Sequence, residues 1–321
     1  MVNMGSSVRR PLKWIAKLAV SLTLFGLFLF SVNLGQVTER ICSINVGALV
    51  LASLVILISI IIRAYRWQVI SMVYGTTLSL WTSFRLIQMG NFVGQVLPST
   101  IGGDVARAWG GCRSGMTMRI SIHTILLDRL FGLGALLIII LFSMPGLFFL
   151  INETVMLLVL SGVALSGVLV LSGVIFLDKP PVWLPWKKMR QEIDLLSSDA
   201  RKFIANWRAS VPVFFASVAS HLIFIVAVMV LARGIGVKVH LYELVLLLPS
   251  VIFLALMPFS LAGWGVREGA MVFTLGYIGV ARESAFAISV LMGIVAMMTS
   301  LPGGIFMIMN LYRRRSVNKN I

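Results

Sequence analysis

Four carboxylates, Asp104, Asp128, Glu243 and Glu268, and four arginines, Arg85, Arg107, Arg129 and Arg267, lie within or beside long apolar stretches of this sequence. At the centre of a bilayer such a residue costs on the order of 2.5–3.5 kcal/mol even on a lenient insertion scale, so ionisable groups there face a polar interior, pair, and mark sites. Asp104 and Arg107 are one helical turn apart, which makes a local ion pair available. Arg267 and Glu268 are adjacent and must point differently, so one of them reaches another segment. In Asp128-Arg129, early in its apolar run, one residue can snorkel to the surface while the other faces inward. Gln88, Asn91 and Gln95, at spacings of three and four, make a polar stripe that either bonds neighbouring helices or lines a hydrophilic track.

The chemistry these residue types suggest is anion recognition. Arg107 and Arg267 each begin a helix after a glycine-containing break, where unpaired N–H groups and the positive end of the helix dipole add to a guanidinium fork suited to phosphate. Asp104, Glu268, Asp128, Arg129, Gln95 and Ser99 complete the candidate substrate-binding set. The plainer alternative is that Asp104/Arg107 and Arg267/Glu268 are internal ion pairs that lock the chain, and for Asp104 pairing, helix capping and proton binding all stay open. Arg63 and Arg66 with Trp67 read as an interfacial anchor at the end of a span.

The breaks recur. Pro98-Ser99-Thr100-Ile101-Gly102-Gly103-Asp104-Val105-Ala106-Arg107 and Pro258-Phe259-Ser260-Leu261-Ala262-Gly263-Trp264-Gly265-Val266-Arg267 stand half the chain apart. Pro98, Gly102 and Gly103 are the expected hairpin breaks in the first, Pro258, Gly263 and Gly265 in the second.

The elements that must position these residues follow from composition. Apolar residues are 59% and charged residues 12% of the chain, far from the roughly 45–50% and 25% of soluble domains. The sequence predicts an all-α polytopic membrane protein. Runs long enough to span are Leu12–Val32, Ile41–Ile62, Ile120–Leu150, Val155–Leu177, Val211–Ala232 and Ala285–Tyr312, each at or above the ~20 residues a crossing needs. Thr82–Cys112 and Leu241–Val280 are split by the Pro/Gly motifs into arms too short for straight crossings. They read as re-entrant helical hairpins whose tips face a site, because unpaired backbone is tolerated at membrane depth only inside protein or beside a wet cavity. Six full spans plus two hairpins is the expectation, with eight to ten crossings as the alternative.

The net charge of +16 comes from bases at the ends of apolar runs, which fits membrane orientation and gives no soluble face for nucleic acid. Arg9, Arg10, Arg113, Arg119, the bases from Lys179 to Arg208, and Arg313–Arg315 fall on one side, with Arg40, Arg233, Lys238 and Arg282 opposite. By the positive-inside rule both termini are cytoplasmic. Residues 12–150 and 154–312 then form two inverted repeats within a single membrane domain, 1–321, the layout of many alternating-access transporters. Residues 178–208 read as a cytoplasmic interfacial loop holding an amphipathic helix.

No metal-ligand spacing, phosphate loop, nucleophile elbow or dinucleotide fingerprint is present, so no cofactor and no metal are expected. Cys42 and Cys112 read as small packing residues.

Arg63-Ala64-Tyr65-Arg66-Trp67, Gly94-Gln95-Val96-Leu97-Pro98-Ser99 with Gly103-Asp104-Val105-Ala106-Arg107, Leu127-Asp128-Arg129-Leu130, Gly263-Trp264-Gly265-Val266-Arg267-Glu268-Gly269 and Leu301-Pro302-Gly303-Gly304 together resemble the lysylphosphatidylglycerol synthase transmembrane region, also called the flippase-like domain family. The resemblance covers nearly the whole chain. It implies an inner-membrane protein linked to translocating a lipid or lipid-linked glycan, with Asp104, Arg107, Asp128, Arg129, Arg267 and Glu268 at motif positions. It also implies a stand-alone member, since full synthases carry a cytoplasmic aminoacyl-transfer domain. The leading expectation is a flippase-like transporter of an anionic amphiphile and not an enzyme. Two others stand beside it: a membrane-embedded transferase acting on polyprenyl-phosphate-linked substrate with Asp104 or Glu268 as base, and a non-catalytic membrane partner of a glycosyltransferase or synthase. The lipid and the oligomeric state are not encoded in any motif.

Overall fold

The computed structural model describes residue 26 and residues 32–96, 100–151, 154–176, 187–256 and 265–317. Regular structure among them is helical throughout: α1 (Leu34–Cys42), α2 (Val46–Val73), α3 (Leu80–Val96), α4 (Thr100–Arg113), α5 (Met118–Leu150), α6 (Thr154–Phe176), α7 (Lys187–Ala205), α8 (Trp207–Gly234), α9 (Leu241–Leu256), α10 (Val266–Gly276) and α11 (Arg282–Val317). Among the described residues, four stretches are long and apolar enough to cross a membrane: α2, α5, α8 and Arg282–Met309 of α11. The expected Val155–Leu177 span falls on the 23-residue helix α6, which is not among those four. The expected span Leu12–Val32 lies, apart from Gly26 and Val32, outside the described residues.

Local sequence explains where the helices begin. Asn45 caps α2 by accepting the Gly47 N–H at 2.8 Å, and Thr117 caps α5 by accepting the Ile120 N–H at 3.2 Å. Glu243, in the first turn of α9, accepts the His240 N–H at 2.9 Å. Each side chain satisfies one of the amides a helix start leaves unpaired.

The two short pairs differ from the long helices. α3 and α4 have 17 and 14 residues, α9 and α10 have 16 and 11. At ~1.5 Å per residue none exceeds about 26 Å, short of the ~30 Å hydrocarbon core. α3 and α4 run antiparallel, since Gly90 meets Gly103 while Leu86, earlier on α3, meets Gly110, later on α4. That contact corrects one expectation. Gly102 and Gly103 are not the break; they lie inside α4, and Pro98, with the rest of residues 97–99, lies outside the described residues. A Cβ on Gly103 would meet the Gly90 carbonyl oxygen at 2.5 Å, so glycine there serves close helix approach rather than helix termination. In the second pair, Pro258 and Gly263 lie outside the described residues. Gly265 opens α10 at φ 86°, a left-handed backbone that glycine adopts without a Cβ penalty.

At the centre, α2 and α8 pack along their lengths and run antiparallel. The Asn45 N–H donates to Gly234 O at 3.0 Å at one end, and Ser59 Oγ donates to Ser220 O at 3.3 Å further in. Packing around this pair is reciprocal. α11 lies on α3, where Gly303 sits against the Gln88–Met89 backbone and Phe84 meets Phe306 edge-on. α5 lies on α9, where Gly146 sits under Leu246 and Ser143 Oγ reaches Val245 O at 3.3 Å.

The amphipathic helix expected within 178–208 is α7. It docks on the bundle: Ala200 and Phe203 are buried with Ile70 and Leu127. His123 sits 3.1 Å from both Glu192 and Asp199. Tyr74 OH donates to Asp199 Oδ2 at 2.9 Å, and burial together with that carboxylate pushes the Tyr74 phenol well above the usual tyrosine range.

Candidate functional site

α2 places Arg63 and Arg66 one turn apart, so both point from the same face toward α5. α4 supplies Asp104 and Arg107, again one turn apart, and α5 supplies Asp128 and Arg129. Asp128 is the hub. Its Oδ1 accepts Arg66 Nε at 2.6 Å and its Oδ2 accepts Arg107 Nη2 at 3.1 Å, so a single carboxylate ties three helices together. Arg66 also donates to Ser217 Oγ on α8 at 3.1 Å and lies flat against Gly132, where a Cβ would come within 3.3 Å of Nη1. Arg107 is 4% exposed and its guanidinium lies over the Trp67 ring, 4.5 Å from the centroid. Its side chain passes Gly90 so closely that a Cβ there would meet Arg107 Cγ at 2.7 Å.

Asp104 has the partner its spacing suggests, Arg107, at ion-pair distance, and a second, closer one. Arg129 Nε and Nη2 donate to its two oxygens, both at 3.1 Å, whereas Arg107 Nη1 stays 3.7 Å away. The two-pronged arrangement matches the guanidinium fork. Arg129 is the half-exposed member of its dipeptide and Asp128 the buried one, which is the split the sequence suggests.

On the other short pair, Arg267 Nη2 donates to Glu268 Oε1 at 2.6 Å and Arg267 Nε donates to Ser289 Oγ at 3.1 Å. Glu268 is fully buried and its Oε2 accepts the Gly265 N–H at 2.6 Å. Neighbours in sequence thus become partners, because Glu268 turns back over the start of α10 and Arg267 bends to meet it. Glu268 holds Arg267 and the helix start; it does not line a cavity.

These groups surround one cavity with two lobes of about 380 Å³ each, sharing Ser59, Arg63, Arg129, Phe224 and Leu256. The first lobe is lined by Asp104, Arg107, Gln95, Asn91 and Arg267, so side chains from both short pairs reach it. The second is lined by Arg66, Asp128, Ser220 and His221. Ile56, Ile60 and Met292 supply an apolar wall to the first lobe. Each lobe, at about 380 Å³, is near the lower end of ligand-site sizes, which run from roughly 300 to 1,000 Å³, and suits a head group more than a whole lipid. The charge balance is uneven. Arg63, Arg66, Arg107, Arg129 and Arg267 face Asp104, Asp128 and Glu268, five positive groups against three negative, leaving two positive charges.

Of the sequence-expected site residues, Asp104, Arg107, Asp128, Arg129, Arg267 and Gln95 line the cavity, and Glu268 sits behind it. Ser99 lies outside the described residues. The polar stripe divides: Asn91 and Gln95 face the cavity, while Gln88 is buried with neither amide atom bonded among the described residues. Arg63, Arg66 and Trp67 are not interfacial anchors. α2 continues to Val73, so they lie well inside the helix; Trp67 is fully buried and Arg66 nearly so. The apolar residues after Trp67 (Val69, Ile70, Met72, Val73) were the available signal that the span had not ended.

Residues 14–303 match the family described as Lysylphosphatidylglycerol synthase TM region. No curated protein and no solved structure matches the chain. The chain belongs to the Lysylphosphatidylglycerol synthase TM region family, a membrane domain.

Proposed function

We propose, from membership in a membrane-domain family and from the arginine cavity, that the protein is a flippase-like transporter. It moves an anionic lipid or lipid-linked glycan across the cytoplasmic membrane and performs no covalent chemistry. The observation that carries this reading is that Arg107 and Arg267, one from each pair of short helices, line one cavity together with an excess of positive charge. The head group would sit among the guanidinium groups, and the tail would remain in lipid along the apolar wall.

The topology belongs to the same proposal. Six spans and two re-entrant hairpins, α3–α4 and α9–α10, form inverted repeats with both termini cytoplasmic. Three features support it: the antiparallel α2–α8 pair, the reciprocal packing of α11 on α3 and α5 on α9, and short helices below spanning length. One repeat would rock against the other about α2 and α8.

The test is reconstitution of purified protein in liposomes holding a labelled anionic lipid. Translocation without any second protein is expected, and Arg107→Ala and Arg267→Ala should each abolish it. Arg107→Ala is the cleaner probe, because Asp128 keeps Arg66, whereas Arg267→Ala takes the ion-pair partner from the fully buried Glu268. No translocation by folded wild-type protein, or formation of a new lipid product, would overturn the reading.

A further inference from the structure

Arg63 is the one cavity arginine whose guanidinium has neither a hydrogen bond nor an ion pair among the described residues. It lines both lobes, on the wall they share. The charges facing it are Asp128, which attracts it, and Arg66, Arg107 and Arg129, which repel it. Both carboxylates within reach are already committed: Asp128 to Arg66 and Arg107, and Asp104 to Arg129. Arg267 and Glu268 neutralise each other. The two surplus charges therefore belong to the group Arg63, Arg66, Arg107 and Arg129 set against Asp104 and Asp128.

Like charges gathered around one cavity repel one another, and that repulsion is relieved when a counter-charge enters. A phosphodiester brings one negative charge and leaves one surplus; a fully ionised phosphate monoester, or a diphosphate esterified at both ends, brings two and leaves none. A guanidinium with all five donors uncommitted is also the group best able to grip phosphate oxygens in a fork. We infer that Arg63 is the primary receptor for the head group, and that the cavity selects a lipid whose phosphate carries two negative charges over one that carries a single charge. Arg66 and Arg107 are positioning residues held by Asp128. Because Arg63 borders both lobes, the phosphate keeps this contact wherever it sits between them. The inference rests on the transport reading for the statement that the ligand is cargo, but the binding site and its charge preference stand without it.

The experiment titrates delipidated protein, in an uncharged detergent at pH 8.5, with dioleoyl phosphatidic acid and with dioleoyl phosphatidylmethanol, which has the same tails and one charge less. Inorganic phosphate forms a third arm. Wild-type protein is expected to bind phosphatidic acid at least about 10-fold more tightly than phosphatidylmethanol. Arg63→Gln should weaken phosphatidic acid at least about 20-fold, the loss of one buried charge-assisted contact, and bring the two lipids within about 3-fold of each other. Arg63→Lys should keep a preference for phosphatidic acid, which separates lost charge from damaged fold. An unchanged preference in Arg63→Gln, or equal binding of both lipids by wild type, overturns the inference. Inorganic phosphate that competes at the lipid's own concentration overturns the lipid as ligand. In the parallel liposome assay, translocation with no charge preference sinks this inference alone, and charge preference without translocation sinks the transport reading alone.

Discussion

Asp128→Asn removes the charge on which two buried arginines depend while keeping the side chain's shape. The amide oxygen can still accept from one of Arg66 Nε, now at 2.6 Å, or Arg107 Nη2, now at 3.1 Å, but neither guanidinium keeps a counter-ion at this position, and only Arg107 retains one nearby, Asp104 at 3.7 Å. Both arginines are under 7% exposed, so water gives little relief. Breaking one side of a buried ion pair costs about 3–5 kcal/mol, and the retained amide bond places this variant toward the lower figure. Asp104→Asn is the control. Its partner Arg129 is half-exposed and Asp104 itself partly so, and pairs of that kind are worth about 1 kcal/mol or less. Unfolding of the purified variants in detergent should therefore show Asp128→Asn at least about 2 kcal/mol less stable than Asp104→Asn. Adding Arg66→Gln to Asp128→Asn should cost less than the sum of the two single changes, with a coupling of at least about 1 kcal/mol, as expected for groups in direct contact. Equal stability of the two Asp→Asn variants, or strict additivity in the cycle, would refute the hub role of Asp128.

Gly90→Ala puts a methyl group against Arg107 Cγ at 2.7 Å and Gly103 O at 2.9 Å. We expect it to destabilise by about 1–3 kcal/mol and to lower translocation, whereas Gly162→Ala, with open space around it, should be neutral or slightly stabilising; equal effects would contradict the close α3–α4 contact. For the topology, single cysteines at Ser99 and Ser260 in a background lacking Cys42 and Cys112 should react with impermeant thiol reagents added from opposite faces of the membrane. Labelling of both from one face would contradict the inverted arrangement.

The sequence by itself determined the solvent, the helical class and most of the cavity's chemistry. Runs of about 20 apolar residues have no other stable home than a bilayer or a large core, and ionisable groups inside them must find a polar interior. Those two constraints act on local sequence, so Asp104, Arg107, Asp128, Arg129, Arg267 and Gln95 could be singled out without a fold. The short helix pairs were legible for the same reason: the arms before Pro98 and Pro258 are too short for a straight crossing. The ordered motifs also carried the family, which the match over residues 14–303 bears out.

Only the tertiary structure decided who pairs with whom. Helical spacing brings Asp104 within 3.7 Å of Arg107, but Arg129, 25 residues away, takes both carboxylate oxygens, because Arg107 is also held by Asp128 and the Trp67 ring. Gly102 and Gly103 look like helix breakers in one dimension and prove to be helical, and what Gly103 relieves is crowding against α3 at Gly90. Arg63 and Arg66 were hidden because the same residues at a span's end would be anchors, and what makes them a site is the arrival of α5 with Asp128 and Gly132 against α2. Partner choice among like charges depends on distances between helices far apart in the chain, and those distances are set by packing across the whole bundle.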